Sequence, residues 1–257
     1  MTYRLLINEY AYSDGSMRVW LEVDAFGIEF NPRYIPMFSD EHSDTLLKYE
    51  PAGALPILCT EAEGEGDSIW MGCAAAEILA ERHPDAGLWP EDRDMRETAR
   101  GLSARAHTDF TSLQALPMNL HARYQGFAPG DAEQDDVDAV SKLWAWALGK
   151  SGGPFLCGEE FCEADAAFAP IVSRFVTYGL AMNDIVKAYV AAIYAHPSVR
   201  RWHACADAQL RRIDDLDKDL PSGSNHDWPR QPVLPAKPYD GDEIGRHTSE
   251  LQSPVPI

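Results

Sequence analysis

Residues 10–20 read YAYSDGSMRVW, and this stretch determines how the first part of the chain folds. The run YRLLI at 3–7 is typical of a buried strand, whereas residues 16–26 carry apolar side chains at helical spacing. Between them, Ser-Asp-Gly-Ser at 13–16 has the composition of a turn that opens a helix. Such a turn either only caps the helix or presents backbone N–H groups and a hydroxyl to a ligand.

The first 83 residues alternate between strand and helix patterns. Residues 29–36 and 55–60 predict strands, and 40–49 predict a short helix. A strand at 68–71 would pair with 55–60 across the Gly-rich turn EAEGEGD. A helix over 73–84 would end at Pro84. The order βαβα–ββα therefore predicts a small mixed sheet with helices on its faces.

From residue 91 onward the apolar spacing is helical. The predicted helices span residues 91–116, 131–150, 163–180, 184–197 and 198–210. We therefore predict an α/β domain over 1–83, a linker at 84–91 and an all-helical domain over 92–216. Residues 217–257 are rich in Pro, Gly, Ser and Asp, which predicts an irregular tail.

Composition and charge restrict the class of partner. The formal net charge of −19 argues against nucleic acid and anionic membranes as partners, because both attract basic surfaces. No apolar run approaches the ~18 residues of a membrane span, and the N-terminus has no signal-peptide pattern. The five cysteines form no CxxC pair, so we expect neither a disulfide framework nor a metal site. These features predict a cytoplasmic protein.

Four segments, in order, resemble the cytosolic glutathione transferases. They are AYSDGSMRVWL at 11–21, YEPAGALPIL at 49–58, IWMGCAAAEILAERHPDAGLWPED at 69–92 and FLCGEEFCEADAAFAPIVSRFVTYG at 155–179. The first is similar to the glutathione loop of Ser-type members, in particular the zeta-like and related bacterial isomerases and β-etherases. The resemblance covers residues 3–215. It implies a thioredoxin-like domain followed by a helical domain, glutathione as co-substrate and a homodimer.

Ser13 occupies the position of the catalytic serine in this resemblance. A thiol must become a thiolate to attack an electrophile. A hydroxyl beside the N–H groups of a helix start can stabilise that anion. The alternative is that Ser13, Asp14 and Ser16 only cap the helix. We favour the thiolate role for Ser13 and the capping role for Ser16.

The resemblance also implies the remaining site residues. The glutathione contacts would be Asp14, Gly15, His42, Leu55, Pro56, Met71 and Gly72, with Lys48 as an alternative to His42. Leu55-Pro56 corresponds to the family's Val-Pro, in which the proline is cis. The electrophile pocket would include Tyr12, His107 and Phe110, with Met118 and Tyr178 as further candidates, although each could equally belong to the core. Arg18 is expected to be structural.

Two positions depart from the family pattern. Met71-Gly72 stands where relatives carry an acid and a serine for the γ-glutamyl group. The loss of those contacts predicts affinity weaker by roughly tens- to hundreds-fold. Asp14 stands beside Ser13 and would compete with a thiolate for the same N–H groups. Two functions therefore stay open. One is glutathione-dependent conjugation, isomerisation or thiolytic cleavage of a small electrophile, and the other is a binding or structural role with little catalysis.

Overall fold

The computed structural model describes residues 2–37, 39, 46–49, 54–60, 68–70, 72–124 and 126–209. Several predictions lie outside these residues. They are most of the helix at 40–49, the turn at 61–67, the roles of His42 and Met71, and the tail from 217.

The N-terminal part contains a four-stranded mixed sheet, as the sequence predicts. Its elements are β1 (Tyr3–Ile7), α1 (Asp14–Asp24), β2 (Phe30–Tyr34), β3 (Ile57–Thr60), β4 (Ser68–Trp70) and α2 (Gly72–Arg82). The strand order is β2-β1-β3-β4. The β1–β2 pair is parallel, and β1–β3 and β3–β4 are antiparallel. β1 is therefore central, and the loop that follows it leads directly into α1.

The rest of the described chain is helical. A 3₁₀ turn at Pro84–Ala86 precedes α3 (Arg93–Thr108), α4 (Thr111–Ala115), α5 (Asp131–Ser151), α6 (Glu163–Tyr178), α7 (Asp184–Ala195) and α8 (Pro197–Gln209). Along the described part of the chain, no helix combines the length and the apolar composition that a bilayer crossing requires.

The single helix predicted over 91–116 is wrong, because the chain turns between α3 and α4. Phe110 adopts a left-handed conformation with φ of 56°. This conformation costs a residue with a side chain about 1–2 kcal/mol. The Phe110 ring is buried, with its centroid 6.2 Å from that of Phe168, and this burial offsets the strain. Local apolar spacing could not reveal a turn that depends on a contact 58 positions away.

α6 is the central helix, and almost all of its residues are buried. Its first turn is fixed by Asp165, which accepts hydrogen bonds from Cys162 N (3.0 Å), Leu156 N (3.0 Å) and the Tyr189 hydroxyl (3.1 Å). Asp165 thereby supplies the N3 half of a capping box at the start of α6. α1 packs against α6, so the start of α1 lies where the sheet and the helices meet.

Candidate functional site

Ser13 is the N-cap of α1. Its Oγ accepts a hydrogen bond from Ser16 N at 3.3 Å and lies 2.7 Å from Ser16 Oγ, to which it donates. Ser16 Oγ also accepts from Asn8 N at 3.1 Å. Because hydroxyl groups rotate, Ser16 can instead donate to Ser13 and leave the Ser13 proton for a ligand. Capping and ligand binding are therefore compatible at Ser13, and Ser16 supports both.

The cis peptide bond between Leu55 and Pro56 lies against this loop. The cis form expected from the resemblance is present. A Cβ at Gly15 would lie 3.1 Å from Pro56 Cδ and 3.7 Å from Leu55 O. The fold thus brings together three of the predicted glutathione contacts, and glycine at 15 permits their close approach.

Asp14 is held in an ion pair with α6. Its Oδ1 accepts from Gly15 N at 2.7 Å, and its Oδ2 lies 3.3 Å from Arg174 Nη2. Burial alone would raise the pKa of Asp14, but the positive charges of Arg174 and Arg18 outweigh it, so the pKa lies below its ordinary value. The Asp14 charge is therefore balanced by arginine, which reduces the competition with a thiolate that the sequence suggested.

Arg18 fastens α1 to the helical part of the chain. Its Nε donates to Ala167 O at 3.0 Å, and its Nη2 donates to Ala106 O at 3.3 Å and to Gln114 Oε1 at 3.0 Å. These acceptors belong to α6, α3 and α4. The contacts are those of a structural residue, as expected for Arg18 from the resemblance.

Two glutamates, Glu22 and Glu163, are fully buried behind this region. Within the described residues, neither carboxylate meets hydrogen-bonding geometry with a partner. Burial raises the pKa of Glu163 to about 8, although the nearby Ser103 hydroxyl and Arg18 oppose this shift. Burial, Glu163 and Cys73 hold the pKa of Glu22 well above its usual range, against the effect of Arg18. The Glu163 side chain is therefore largely protonated in the folded protein near neutral pH, and the pKa of Glu22 is shifted in the same direction.

Sequence reasoning missed this carboxyl pair. Glu22 follows Asp14 and Arg18 at four-residue intervals, which on a helix is a single face. A charged helix face usually lies toward solvent, whereas this face lies against α6. Glu163 at the start of α6 looked like an ordinary acidic residue near a helix N-terminus.

His107 occupies the space beside Gly72 at the start of α2. A Cβ at Gly72 would lie 2.8 Å from His107 Nε2 and 3.3 Å from Glu22 Oε1. The ring is oriented by Nδ1, which lies 2.8 Å from Ser103 O. Burial and Arg18 lower the pKa of His107. A serine hydroxyl at 72, as the family has it, does not fit unless His107 moves.

We expect Gly72→Ser to lower the free energy of unfolding by about 1–3 kcal/mol, because its side chain clashes with the His107 ring. The same substitution in a His107→Ala background should be nearly neutral. Urea denaturation of the four proteins gives the coupling energy. Gly149→Ala, where a Cβ meets nothing within 4 Å, serves as the control. Equal effects of Gly72→Ser in both backgrounds would contradict the clash.

The three predicted pocket residues have different neighbours. Tyr12 is buried with its ring 6.5 Å from that of His121, Phe110 packs on Phe168, and His107 lies beside Gly72. Met118 and Tyr178 are also buried. Lys48 is exposed. That Tyr12, His107 and Phe110 share one substrate pocket remains a prediction.

All five cysteines are free thiols, and Cys73, at the second residue of α2, is exposed. Among the residues that the structure describes, no group of three or more His, Cys, Asp or Glu side chains is placed to hold a metal ion.

The fold is that of the glutathione transferases. A glutathione transferase homologue from Burkholderia with bound glutathione is 22% identical over 86% of this chain and 100% of its own, with a TM-score of 0.59. Maleylacetoacetate isomerase from Methylobacterium extorquens AM1, with bound malonate and glutathione, is 20% identical over 81% and 100%, with a TM-score of 0.60.

A third solved structure of the same fold comes from another class of glutathione transferase. Glutathione transferase Omega 2S from Trametes versicolor, in complex with 2,4-dihydroxybenzophenone, is 18% identical over 85% of this chain and 99% of its own, with a TM-score of 0.63. No protein-family model and no curated protein matches the chain. At these identities the likeness establishes the fold, a thioredoxin-like domain followed by a helical domain.

Proposed function

We propose that the protein is a glutathione-dependent enzyme that acts on a small electrophile, with the Ser13 hydroxyl stabilising the glutathione thiolate. The observation that carries this proposal is the position of Ser13 Oγ at the start of α1, in the loop that contacts cis Leu55-Pro56. Two neighbours of the same fold hold glutathione, which supports it as the co-substrate.

The electrostatics at the start of α1 suit a thiolate. The N–H groups and the positive end of the helix dipole favour an anion. The negative charge of the nearby Asp14 is balanced by the positive charge of Arg174. When Ser16 donates to Ser13, the Ser13 proton points to the sulfur, so the two hydroxyls form a short donor chain. The thiol proton leaves to solvent, and the sulfur then forms a bond to the electrophilic carbon while the leaving group departs with its electron pair.

The peptide part of glutathione would be held by backbone groups. Leu55, before the cis-proline, would offer its N–H and C=O to the cysteinyl unit. The backbone N–H of Gly72 lies at the start of α2, where anions are favoured, whereas the N–H of Gly15 at the start of α1 already donates to Asp14 Oδ1. Asp14, Pro56, His42 and Met71 complete the proposed contacts. A cytoplasmic homodimer is part of the same proposal, based on the family resemblance alone.

The second candidate is a protein of this fold that binds or associates without much catalysis. One observation favours it: His107 fills the space of the family's serine side chain beside Gly72. The γ-glutamyl end of glutathione then lacks both the serine hydroxyl and the acid that relatives supply. In this case glutathione should bind at millimolar concentration or not at all.

Ser13→Ala separates the two candidates when it is compared with a second capping residue. Asn183 caps α7 through its Oδ1, which accepts from Val186 N at 2.9 Å, far along the chain from Ser13. Asn183→Ala and Ser13→Ala should each lose about 1 kcal/mol of stability as caps. Only Ser13→Ala should lower kcat/KM for glutathione and a generic aryl halide, by about tenfold or more.

Glutathione is also titrated calorimetrically into the wild type and both variants. Submillimolar binding, together with a loss of kcat/KM in Ser13→Ala alone, supports the enzyme. Weak or absent binding, together with equal rates in both variants, favours the second candidate.

A further inference from the structure

Glu9 is a fully buried acid in the loop between β1 and α1. Its Oε1 accepts a hydrogen bond from the Tyr34 hydroxyl at 2.7 Å. Met37 N lies 3.2 Å from Oε1 and 3.1 Å from Oε2 and donates to the same carboxylate. Burial of a carboxylate is costly unless hydrogen bonds satisfy its oxygens, and hydrogen bonds to a carboxylate are stronger than those between neutral groups. The Glu9 side chain therefore ties this loop firmly to the chain at the end of β2.

The backbone of the same loop holds both serines of the proposed thiol site. Glu9 O accepts from Ser13 N at 3.0 Å. The neighbouring Asn8 donates through its backbone N to Ser16 Oγ at 3.1 Å and through Nδ2 to Ile35 O at 3.0 Å. Because Ser16 Oγ accepts from Asn8, its own proton is available to donate to Ser13. Each of these two loop residues thus contacts one serine and the segment at the end of β2.

The sheet topology explains why these two segments meet. β1 and β2 are parallel, so their carboxyl ends reach the same edge of the sheet. Ile35 N donates to Ile7 O at 2.8 Å and extends this pairing beyond the strands. In α/β folds, ligands bind outside the carboxyl ends of such strands. The Glu9 carboxylate therefore joins two segments at the edge where a ligand of Ser13 would bind.

We infer that Glu9 is a positioning residue, whose carboxylate holds the Ser13 loop in the geometry that stabilises the glutathione thiolate. This role rests on the proposed function, to which it adds a residue that acts through Ser13 and not on the sulfur itself. A negative charge alone would have the opposite effect, because it disfavours a thiolate nearby. The sign of the change in the thiol pKa therefore distinguishes positioning from electrostatics.

Glu9→Gln keeps the shape of the side chain, but its amide nitrogen cannot accept a hydrogen bond from Met37 N. We expect the pKa of the thiol in the glutathione complex to rise by about half a unit or more toward that of free glutathione. For glutathione and a generic aryl halide, kcat/KM should fall by about threefold or more. Tyr34→Phe removes only the phenol donor and should change both quantities in the same direction by less. Ultraviolet absorbance of the thiolate as a function of pH measures the pKa.

Asp165 provides a matched control within the same chain. Its carboxylate also accepts from a tyrosine hydroxyl, that of Tyr189, and from backbone N–H groups. Asp165→Asn and Tyr189→Phe should lower the thermal stability but leave the pKa of the bound thiol unchanged. Tyr34→Phe and Tyr189→Phe each lose a single hydroxyl, so this pair keeps the comparison valid if either carboxylate variant does not fold.

Two results for the thiol pKa would overturn the positioning role. A lower pKa of the bound thiol in Glu9→Gln would mean that Glu9 acts through its charge. An unchanged pKa in both Glu9→Gln and Tyr34→Phe, with reduced thermal stability, would mean that Glu9 only supports the fold.

Hydrogen exchange without glutathione separates this role from the proposed function. The Ser13 amide, which donates to Glu9 O, should exchange about tenfold faster in Glu9→Gln than in the wild type and in Tyr189→Phe. If the wild type does not bind glutathione or does not lower the pKa of its thiol, the proposed function fails. The exchange rates then decide whether the Glu9 carboxylate holds the Ser13 loop, and equal rates in all of these proteins would contradict it.

Discussion

Arg18→Met is expected to lower the free energy of unfolding by about 3–5 kcal/mol, because it leaves buried acceptors without donors. The guanidinium serves two carbonyls and the Gln114 amide oxygen, which come from three different helices. Methionine retains much of the apolar stem but none of these bonds. Urea denaturation at neutral pH measures the change.

Arg105→Met is the matched control for Arg18→Met. Arg105, on the exposed side of α3, pairs at 2.9 Å with Asp109, the residue that follows the helix. Exposed pairs of this kind contribute about 0.2–1 kcal/mol. If the two substitutions had similarly small effects, Arg18 could not be the residue that holds α1 to the helical part of the chain.

Glu163→Gln should stabilise the protein in alkaline solution by roughly 2–4 kcal/mol. It should have little effect at a pH near the pKa that Glu163 has in the unfolded chain. The pKa of Glu163 is raised by burial from 4.5 to about 8. Between these values the folded chain holds a proton that the unfolded chain releases. The stability of the wild type therefore falls as the pH rises through this window and levels off above it.

Glutamine is neutral throughout and removes this pH dependence. Unfolding curves at about pH 4.5, 7 and 9 give the three stabilities for each protein. Glu97→Gln, in an exposed ion pair with Arg93, should change little at any of these values. Parallel pH profiles of the wild type and Glu163→Gln would show that the folded and unfolded states bind this proton equally.

The sequence predicts those parts of the site that depend on local chemistry. The Ser-Asp-Gly-Ser turn indicates a capped helix, and the resemblance assigns the cis-proline, which is present in the structure. Strand and helix patterns likewise gave the mixed sheet and most of the helices. These features depend on residues that are close in the chain or on repeated motifs.

The remaining features depend on contacts between distant segments. Arg174 reaches Asp14 across 160 positions, and no local pattern pairs them. Glu22 and Glu163 approach one another only because α1 packs on α6. The space at Gly72 is taken by a histidine of α3, which changes the meaning of the missing serine. In each case tertiary packing decides whether a charged or polar residue is a ligand contact, a structural tie or a buried acid.

The ionisation of the bound thiol tests the central claim most directly. The ultraviolet absorbance of the thiolate, followed as a function of pH in the glutathione complex, gives the pKa of the sulfur. We predict that the pKa of the bound thiol lies at least about one unit below that of free glutathione in the wild type and in Asn183→Ala. It should return toward the free value in Ser13→Ala. An unchanged pKa of the bound thiol in Ser13→Ala would contradict the role of Ser13.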